Sequence, residues 1–118
     1  MQEVKDLTIK ETQKMIEEGV KIVDIRTPSE WNETGVIENS HKLMFFDPMG
    51  GCDEKKWLDE LSEIIFSKDE PLILICRRGN RTREVGNFLL NQVGYKNIYH
   101  TKDGITGWIE EGCGVIEL

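Results

Sequence analysis

The sequence predicts a single α/β domain built on a central, mostly parallel five-stranded sheet with helices on both faces. Three observations carry this. Short β-rich runs alternate along the chain with stretches whose apolar residues recur at helical spacing. The run Pro71-Leu72-Ile73-Leu74-Ile75-Cys76 is apolar without alternation, as a central parallel strand covered on both faces requires. Finally, a chain of 118 residues buries roughly two-thirds of its unfolded surface, enough for one core but not for two lobes with a cleft between them. Residues 1–118 therefore form one domain, and any active site sits in a surface dip.

Residues 4–7 form a short edge strand. Thr8 and Glu11 then make a capping-box pair, Ile9, Met15 and Ile16 share one helix face, and Gly19 ends that helix. Residues 20–25 are the next strand. Thr27 as N-cap, Pro28 at the first helical position and Glu30 closing a second capping box start a short helix that Gly35 stops. Residues 42–46 read as a strand, and residues 47–53, with Pro48, Gly50 and Gly51, as a loop leading to a helix that carries Trp57, Leu58, Leu61, Ile64 and Ile65. Pro71 opens the central strand and Cys76 stands at its carboxyl end. After it, Val85, Phe88, Leu89 and Val93 share one helix face until Gly94. Residues 97–100 are the last strand and 105–111 a last short helix before Gly112. Trp31, Trp57 and Trp108 read as core or half-core aromatics.

The 22 acidic residues outnumber the 15 basic ones, for a net charge of −7. This argues against nucleic acid and anionic membranes as partners, because phosphate attraction is the sequence-independent part of such binding. It leaves room for one small anion site. Met1 leads into a polar stretch and no apolar run approaches about 18 residues, so a soluble, cytoplasmic protein is expected. Cys52, Cys76 and Cys113 are odd in number and lack C-x-x-C spacing, which favours neither a disulfide scaffold nor a metal site.

Chemistry concentrates at Cys76. Ligands of open α/β sheets collect at the carboxyl ends of strands. A compact loop containing Gly79 and Asn80, both tolerant of positive φ, can turn successive N–H groups inward as an anion nest, and the following helix adds its unpaired first-turn N–H groups and the positive end of its dipole. A free thiol of pKa about 8.5 is only a few per cent ionised at neutral pH, whereas helix N-termini and neighbouring Arg bring such thiols to roughly 3.5–7.5. Arg77, Arg78, Arg81 and Arg83 all crowd this loop and helix start. A basic cluster at a helix N-terminus opposes the dipole and repels itself, so the thiolate, a substrate anion or nearby carboxylates must compensate. Asp24 and Arg26 end the adjacent strand and read as structural support.

The loop Cys76-Arg77-Arg78-Gly79-Asn80-Arg81-Thr82 resembles the active-site loop of single-domain rhodaneses, sulfurtransferases whose loop commonly reads C-R-x-G-x-R-[ST]. Asp24-Ile25-Arg26 with Glu30-Trp31 is similar to the D-x-R…E-[YWF] segment of that family, and Asp103-Gly104-Ile105-Thr106-Gly107-Trp108 to its G-G-x-x-x-W ending. The resemblance spans residues 4–112. It departs where Gly35-Val36-Ile37-Glu38-Asn39-Ser40 lacks the His and second Gly of G-H-[IV]-x-G-[AS], where Asp103 replaces a Gly, and in the loop between Phe46 and Trp57. These departures touch the pocket rim and acceptor choice more than the sulfur chemistry.

The resemblance implies a rhodanese-like three-layer fold without a cofactor. In it, the Cys76 thiolate takes sulfur from a small anionic donor such as thiosulfate and holds it as a persulfide until a thiol, cyanide or protein acceptor removes it. Arg77 and Arg78 would attract the donor, and Gly79, Asn80, Arg81 and Thr82 would complete the binding loop. A monomer or weak homodimer is expected. A persulfide carrier or regulatory module serving only a protein partner fits the same loop. A cysteine phosphatase or arsenate reductase fits less well: its C-x-x-x-x-x-R loop places Arg sixth after Cys to clamp a tetrahedral anion, whereas Thr82 is sixth here and Arg81 comes one place early. A Cys–His hydrolase would need His41 or His100 beside Cys76, and the sequence indicates no third residue to orient either. Cys113 reads as incidental, and Cys52 as incidental or as a rim thiol able to receive the persulfide.

Overall fold

The computed structural model describes residues 1–118. Its strands are β1 (Lys5–Leu7), β2 (Lys21–Asp24), β3 (His41–Lys42), β4 (Leu72–Ile75) and β5 (Ile98–Thr101). The helices are α1 (Ile9–Glu17), α2 (Pro28–Thr34), α3 (Glu54–Ser62), α4 (Asn80–Phe88) and α5 (Gly104–Glu110). The sheet order is β1-β5-β4-β2-β3, and every adjacent pair is parallel. The five-stranded α/β architecture is thus as the sequence predicts, and the sheet is parallel throughout.

Alternation along β4 divides the core. Leu72, Leu74 and Cys76 face a layer that includes Trp57 and Leu61 of α3 and Val85 of α4. Ile73 and Ile75 face the other layer, with Ile9 of α1 and Ile105 and Trp108 of α5. All four residues of β4 are 0% exposed, which is why the segment carries no polar side chain. Both predicted capping boxes form, Thr8 with Glu11 and Thr27 with Glu30.

Three predicted boundaries move. The strand expected over 42–46 is regular only at His41–Lys42; beyond it, Leu43 and Phe45 still donate to the carbonyls of Asp24 and Ile25 at 2.9 and 3.1 Å, and both side chains turn into the core. Helix α3 stops at Ser62 because the N–H groups of Ile64 and Ile65 both return to the Leu61 carbonyl, closing a tight turn that buries Ile65. The helix expected to run to Val93 changes at Leu89–Val93 into a π-helical turn. There the left-handed Gly94 lets its own N–H and that of Tyr95 share the Leu89 carbonyl.

The carboxyl end of β2 is fixed by a buried ion pair. Arg26 and Asp24 are both 0% exposed, and the guanidinium grips both Asp24 oxygens, with a shortest contact of 2.8 Å. Arg26 also donates to Thr34 Oγ1 at 2.8 Å and to the Gly35 carbonyl at 3.0 Å, so one side chain ties the end of α2 to the end of β2. The two residues, read from the sequence as structural support, pair directly with each other. Replacing Arg26 by Met keeps apolar volume but strands the Asp24 carboxylate, a change that costs about 3–5 kcal/mol in comparable sites. Urea denaturation should show a loss of that size, and Asp24→Leu/Arg26→Met should lose less than the sum of the single changes.

Candidate active site

Cys76 follows the last residue of β4, at the carboxyl end of the middle strand, and is only 1% exposed. The loop after it turns through Gly79, whose φ of +93° is left-handed and whose N–H donates to Cys76 Sγ at 3.2 Å. A Cβ on Gly79 would strike the Lys102 carbonyl, so both the turn and the close approach demand glycine. Asn80, Arg81 and Thr82 form the first turn of α4, where no intrahelical acceptor exists for their N–H groups. Neither these three nor Arg77 and Arg78 donate a backbone N–H to any protein acceptor. The loop thus carries five backbone N–H groups without a protein acceptor, next in sequence to a sulfur that accepts one from Gly79.

What turns the loop this way comes from the far end of the chain. At the start of α5, the N–H of Ile105 donates to the Cys76 carbonyl at 2.9 Å and that of Thr106 to the Arg77 carbonyl at 3.1 Å. Gly104, with φ of +62°, permits the approach: a Cβ there would lie 2.6 Å from the Cys76 carbonyl oxygen and closer still to that of Arg77. Two carbonyls that would otherwise compete for the nest are thereby occupied elsewhere. The Asp103–Trp108 segment was legible as a motif, but its anchoring role was not.

The compensation expected for the arginine cluster is met largely by carboxylates. Glu30 on α2 receives both Arg81 nitrogens at 2.8 Å and Arg77 Nε at 3.2 Å. Arg77 also reaches Glu33 at 3.4 Å, and Arg83 pairs with Asp6 at 3.1 Å. Arg78 makes no ion pair; it lines a shallow surface dip with Asp103, Thr106 and Glu110. No arginine side chain donates to Cys76 Sγ. The Arg81 fork, assisted by the Thr27 N–H and Arg77 and opposed by burial, holds the Glu30 carboxyl down at about 2, and Glu30 in turn raises both guanidinium groups. A cleft of about 480 Å³ lies over this pair, lined by Glu30, Arg81 and Glu84 on one side and by Phe46, Asp47 and Pro48 on the other. Cys76 is not part of its lining.

On its inner side Cys76 meets Thr82, whose Oγ1 lies 3.4 Å from Sγ. The same hydroxyl lies 2.8 Å from Nδ1 of His100, and His100 Nε2 lies 2.7 Å from Asp6 Oδ1. Thr82 and His100 are 0% exposed, whereas the Asp6 side chain is 44% exposed. Burial pushes the His100 pKa down against the pull of Asp6, and the His100 hydrogen bond lowers that of Asp6. The third residue that sequence reasoning did not find for His100 is therefore Asp6, and Thr82 separates the imidazole from the sulfur. His41, on the edge strand β3, is two strands away from β4. Cys52 is exposed in the 47–53 loop, and Cys113 is half-buried, accepting from Gln13 Nε2 at 3.1 Å.

The chain is similar to known proteins in sequence and in fold. The family model for the rhodanese-like domain matches residues 8–111. An uncharacterized protein of Rickettsia prowazekii is 35% identical over 89 residues, covering 73% of this chain and 69% of that protein. The thiosulfate sulfurtransferase GlpE of Haemophilus influenzae is 27% identical over 104 residues, covering 88% and 87%. The crystal structure of a rhodanese-related protein from Thermoplasma volcanium superposes with a TM-score of 0.68 at 28% identity, over 95% of this chain and 97% of that one.

Because the Glu30 pKa is lowered from the ordinary 4.5 to about 2, its ion pairs stabilise the fold fully above pH 4.5 and lose that contribution as pH falls toward 2. The shift corresponds to on the order of 2 kcal/mol after allowance for solvent screening. Glu30→Gln should be less stable than the parent by about that amount at pH 7, and the gap should close between pH 4.5 and 2 in parallel urea titrations. A gap that stays constant across this window would show that Glu30 does not ionise as described.

Proposed function

The chain belongs to the rhodanese-like family, and on that premise we propose that it is a sulfurtransferase in which Cys76 carries sulfane sulfur from an anionic donor to a nucleophilic acceptor. The observation that carries the proposal is the Gly79 N–H on Cys76 Sγ, within a loop whose remaining N–H groups have no protein acceptor. Such donors suit negative charge that develops on sulfur, as oxyanion-hole donors suit oxygen. Thiosulfate is the donor that the name of the Haemophilus relative supports.

In the first half-reaction the Cys76 thiolate attacks the outer sulfur of thiosulfate. A new S–S bond forms, the bond to the sulfonate sulfur breaks, and sulfite leaves with the electron pair. Cys76 is left as a persulfide whose terminal sulfur lies among the loop N–H groups. In the second half-reaction cyanide, a thiol or a protein acceptor attacks that terminal sulfur and returns the thiolate. Splitting the transfer into two displacements is the advantage of a covalent intermediate. The single-sulfur scale of the loop supports this over phosphoryl chemistry, since Arg81 is turned onto Glu30 and a clamp for a tetrahedral anion needs that fork free.

Arg77, Arg81 and Arg83 each pair with a carboxylate and Arg78 does not, and we assign Arg78 the attraction of the donor anion. The protein acts in this scheme as a monomer or weak homodimer in the cytoplasm; no helix of the chain is long and apolar enough to cross a membrane. Incubation with thiosulfate should add the mass of one sulfur atom to Cys76, and cyanide should then release thiocyanate. Cys76→Ser should abolish both signals, while Cys52→Ser and Cys113→Ser should leave them. Folded protein that gains no sulfur and yields no thiocyanate would overturn the proposal. Arg78→Ala should raise the KM for thiosulfate several-fold with little change in kcat, an effect that added salt should mask.

A further inference from the structure

We propose that Thr82, His100 and Asp6 form a proton relay that takes the thiol proton of Cys76 as its thiolate forms. The proposal rests on the reading of Cys76 as the nucleophile and adds how a buried thiol loses its proton. At 1% exposure, Cys76 presents little surface to solvent, and the nearest acceptor for its proton lies inside the chain. The one hydroxyl beside Sγ is that of Thr82, and it opens a continuous path of 3.4, 2.8 and 2.7 Å contacts to a half-exposed carboxylate.

The hydrogen bonds have a determined direction. An ionised Asp6 only accepts, so the proton of neutral His100 sits on Nε2. His100 Nδ1 is then an acceptor and takes the Thr82 hydroxyl proton. With that proton committed, Oγ1 can only accept from the sulfur side, so the resting thiol donates S–H to Thr82. Ionisation reverses two of these bonds. The S–H bond breaks with its electron pair left on sulfur, the proton passes to Oγ1, and the original hydroxyl proton passes to Nδ1. The products are a thiolate that accepts from the Thr82 hydroxyl and an imidazolium held between Thr82 and the Asp6 carboxylate. Atoms and charge balance with no outside reagent.

The groups facing His100 weigh on both sides. Asp6, directly opposite it on β1, favours the imidazolium, while Arg83 on α4, which shares the Asp6 carboxylate at 3.1 Å, opposes it, as does burial. Gly79, whose absent Cβ would lie 3.6 Å from His100 Cε1, adds no charge. Thr82 touches the reacting sulfur and is catalytic in this scheme; His100 and Asp6 act through it and are positioning residues.

The test reads Cys76 ionisation without any sulfur donor. In a Cys52→Ser/Cys113→Ser background, the rate of alkylation by iodoacetamide is followed against pH. Thr82→Val and His100→Asn, which offers an amide to Thr82 but cannot become a cation, should each move the midpoint upward by about one pH unit, slowing alkylation near tenfold at neutral pH. Asp6→Asn should shift it in the same direction by less, and Thr82→Ser should restore the parent profile. Parent-like profiles in folded Thr82→Val and His100→Asn would overturn the relay, and so would a shift in Thr82→Val alone, which would mean that the hydroxyl acts without the imidazole. Should His100→Asn fail to fold, the Asp6→Asn profile decides: an unshifted midpoint there overturns the relay. A shifted profile in protein that never takes up sulfur from thiosulfate would uphold the relay and overturn the sulfurtransferase reading, whereas sulfur uptake with unshifted profiles would do the reverse.

Discussion

The rest of the site depends on the need to satisfy one buried sulfur. Negative charge on a sulfur that is only 1% exposed at the end of a central strand is poorly solvated, so it calls for donors built into the chain. The protein meets this mainly with backbone, the Thr82 hydroxyl being the one side-chain group beside the sulfur. Gly79 takes a left-handed turn that brings its N–H onto Sγ, and the first turn of α4 follows at once with donors that the helix cannot use. Backbone donors suit the task because their positions are set by peptide geometry and cost little ordering entropy during reaction. Their weakness is that every peptide turned to present its N–H must place its carbonyl somewhere. The start of α5 answers this for Cys76 and Arg77: the N–H groups of Ile105 and Thr106 donate to the two carbonyls, at an approach that Gly104 permits, which couples the sulfur site to the packing of the last helix.

The charged residues around the loop have a different role from the one their number suggests. Four arginines beside a cysteine in an acidic chain read as an anion trap, yet three of them are bound to carboxylates and none touches the sulfur. Glu30 is the organiser. Fixed by its own capping box at the start of α2, it holds two loop arginines at once and so ties α2 to the loop. The Asp24–Arg26 pair fixes the other end of α2 to β2. These interactions give the loop rigidity, and they spread local charge close to neutrality while leaving Arg78 free. Net charge therefore describes the solubility of this domain better than it describes the site.

Much of this was legible because it is local. The capping boxes, the apolar central strand and the Cys76–Thr82 loop each lie within a few residues of sequence, where periodicity and turn chemistry apply directly. What the sequence did not show are pairings across long separations: Arg77 with Glu30 over 47 residues, Arg81 with Glu30 over 51 and His100 with Asp6 over 94. Nothing in composition joins an acid in the first strand to a histidine in the last. One usable signal existed, since His100 falls in a strand expected inside the domain and a buried imidazole must have partners on both nitrogens. The two-residue β3 and the π-helical turn at Leu89–Val93 were missed for another reason: tertiary packing of Phe45 and the left-handed Gly94 override local preference there.

The edge strand β1 shows how far the demand of one sulfur extends. β1 is three residues long and lies two strands from β4, and by itself it reads as a minor addition to the sheet. Its register is nevertheless exacting. Asp6 lies opposite His100, and His100 lies opposite Leu74 of β4. Alternation then puts all three on the sheet face that carries Cys76 and packs against α4. A slip of one residue would send Asp6 to the opposite face and leave the His100 Nε2 hydrogen unpaired in the interior. The register is held from both faces: Val4 packs against Gly86 of α4, where a Cβ would collide with it, and Leu7 enters the core of the opposite layer. The apolar contacts that fix three residues of an edge strand are thus the same contacts that aim a carboxylate, through an imidazole and a hydroxyl, at the cysteine in the middle of the sheet.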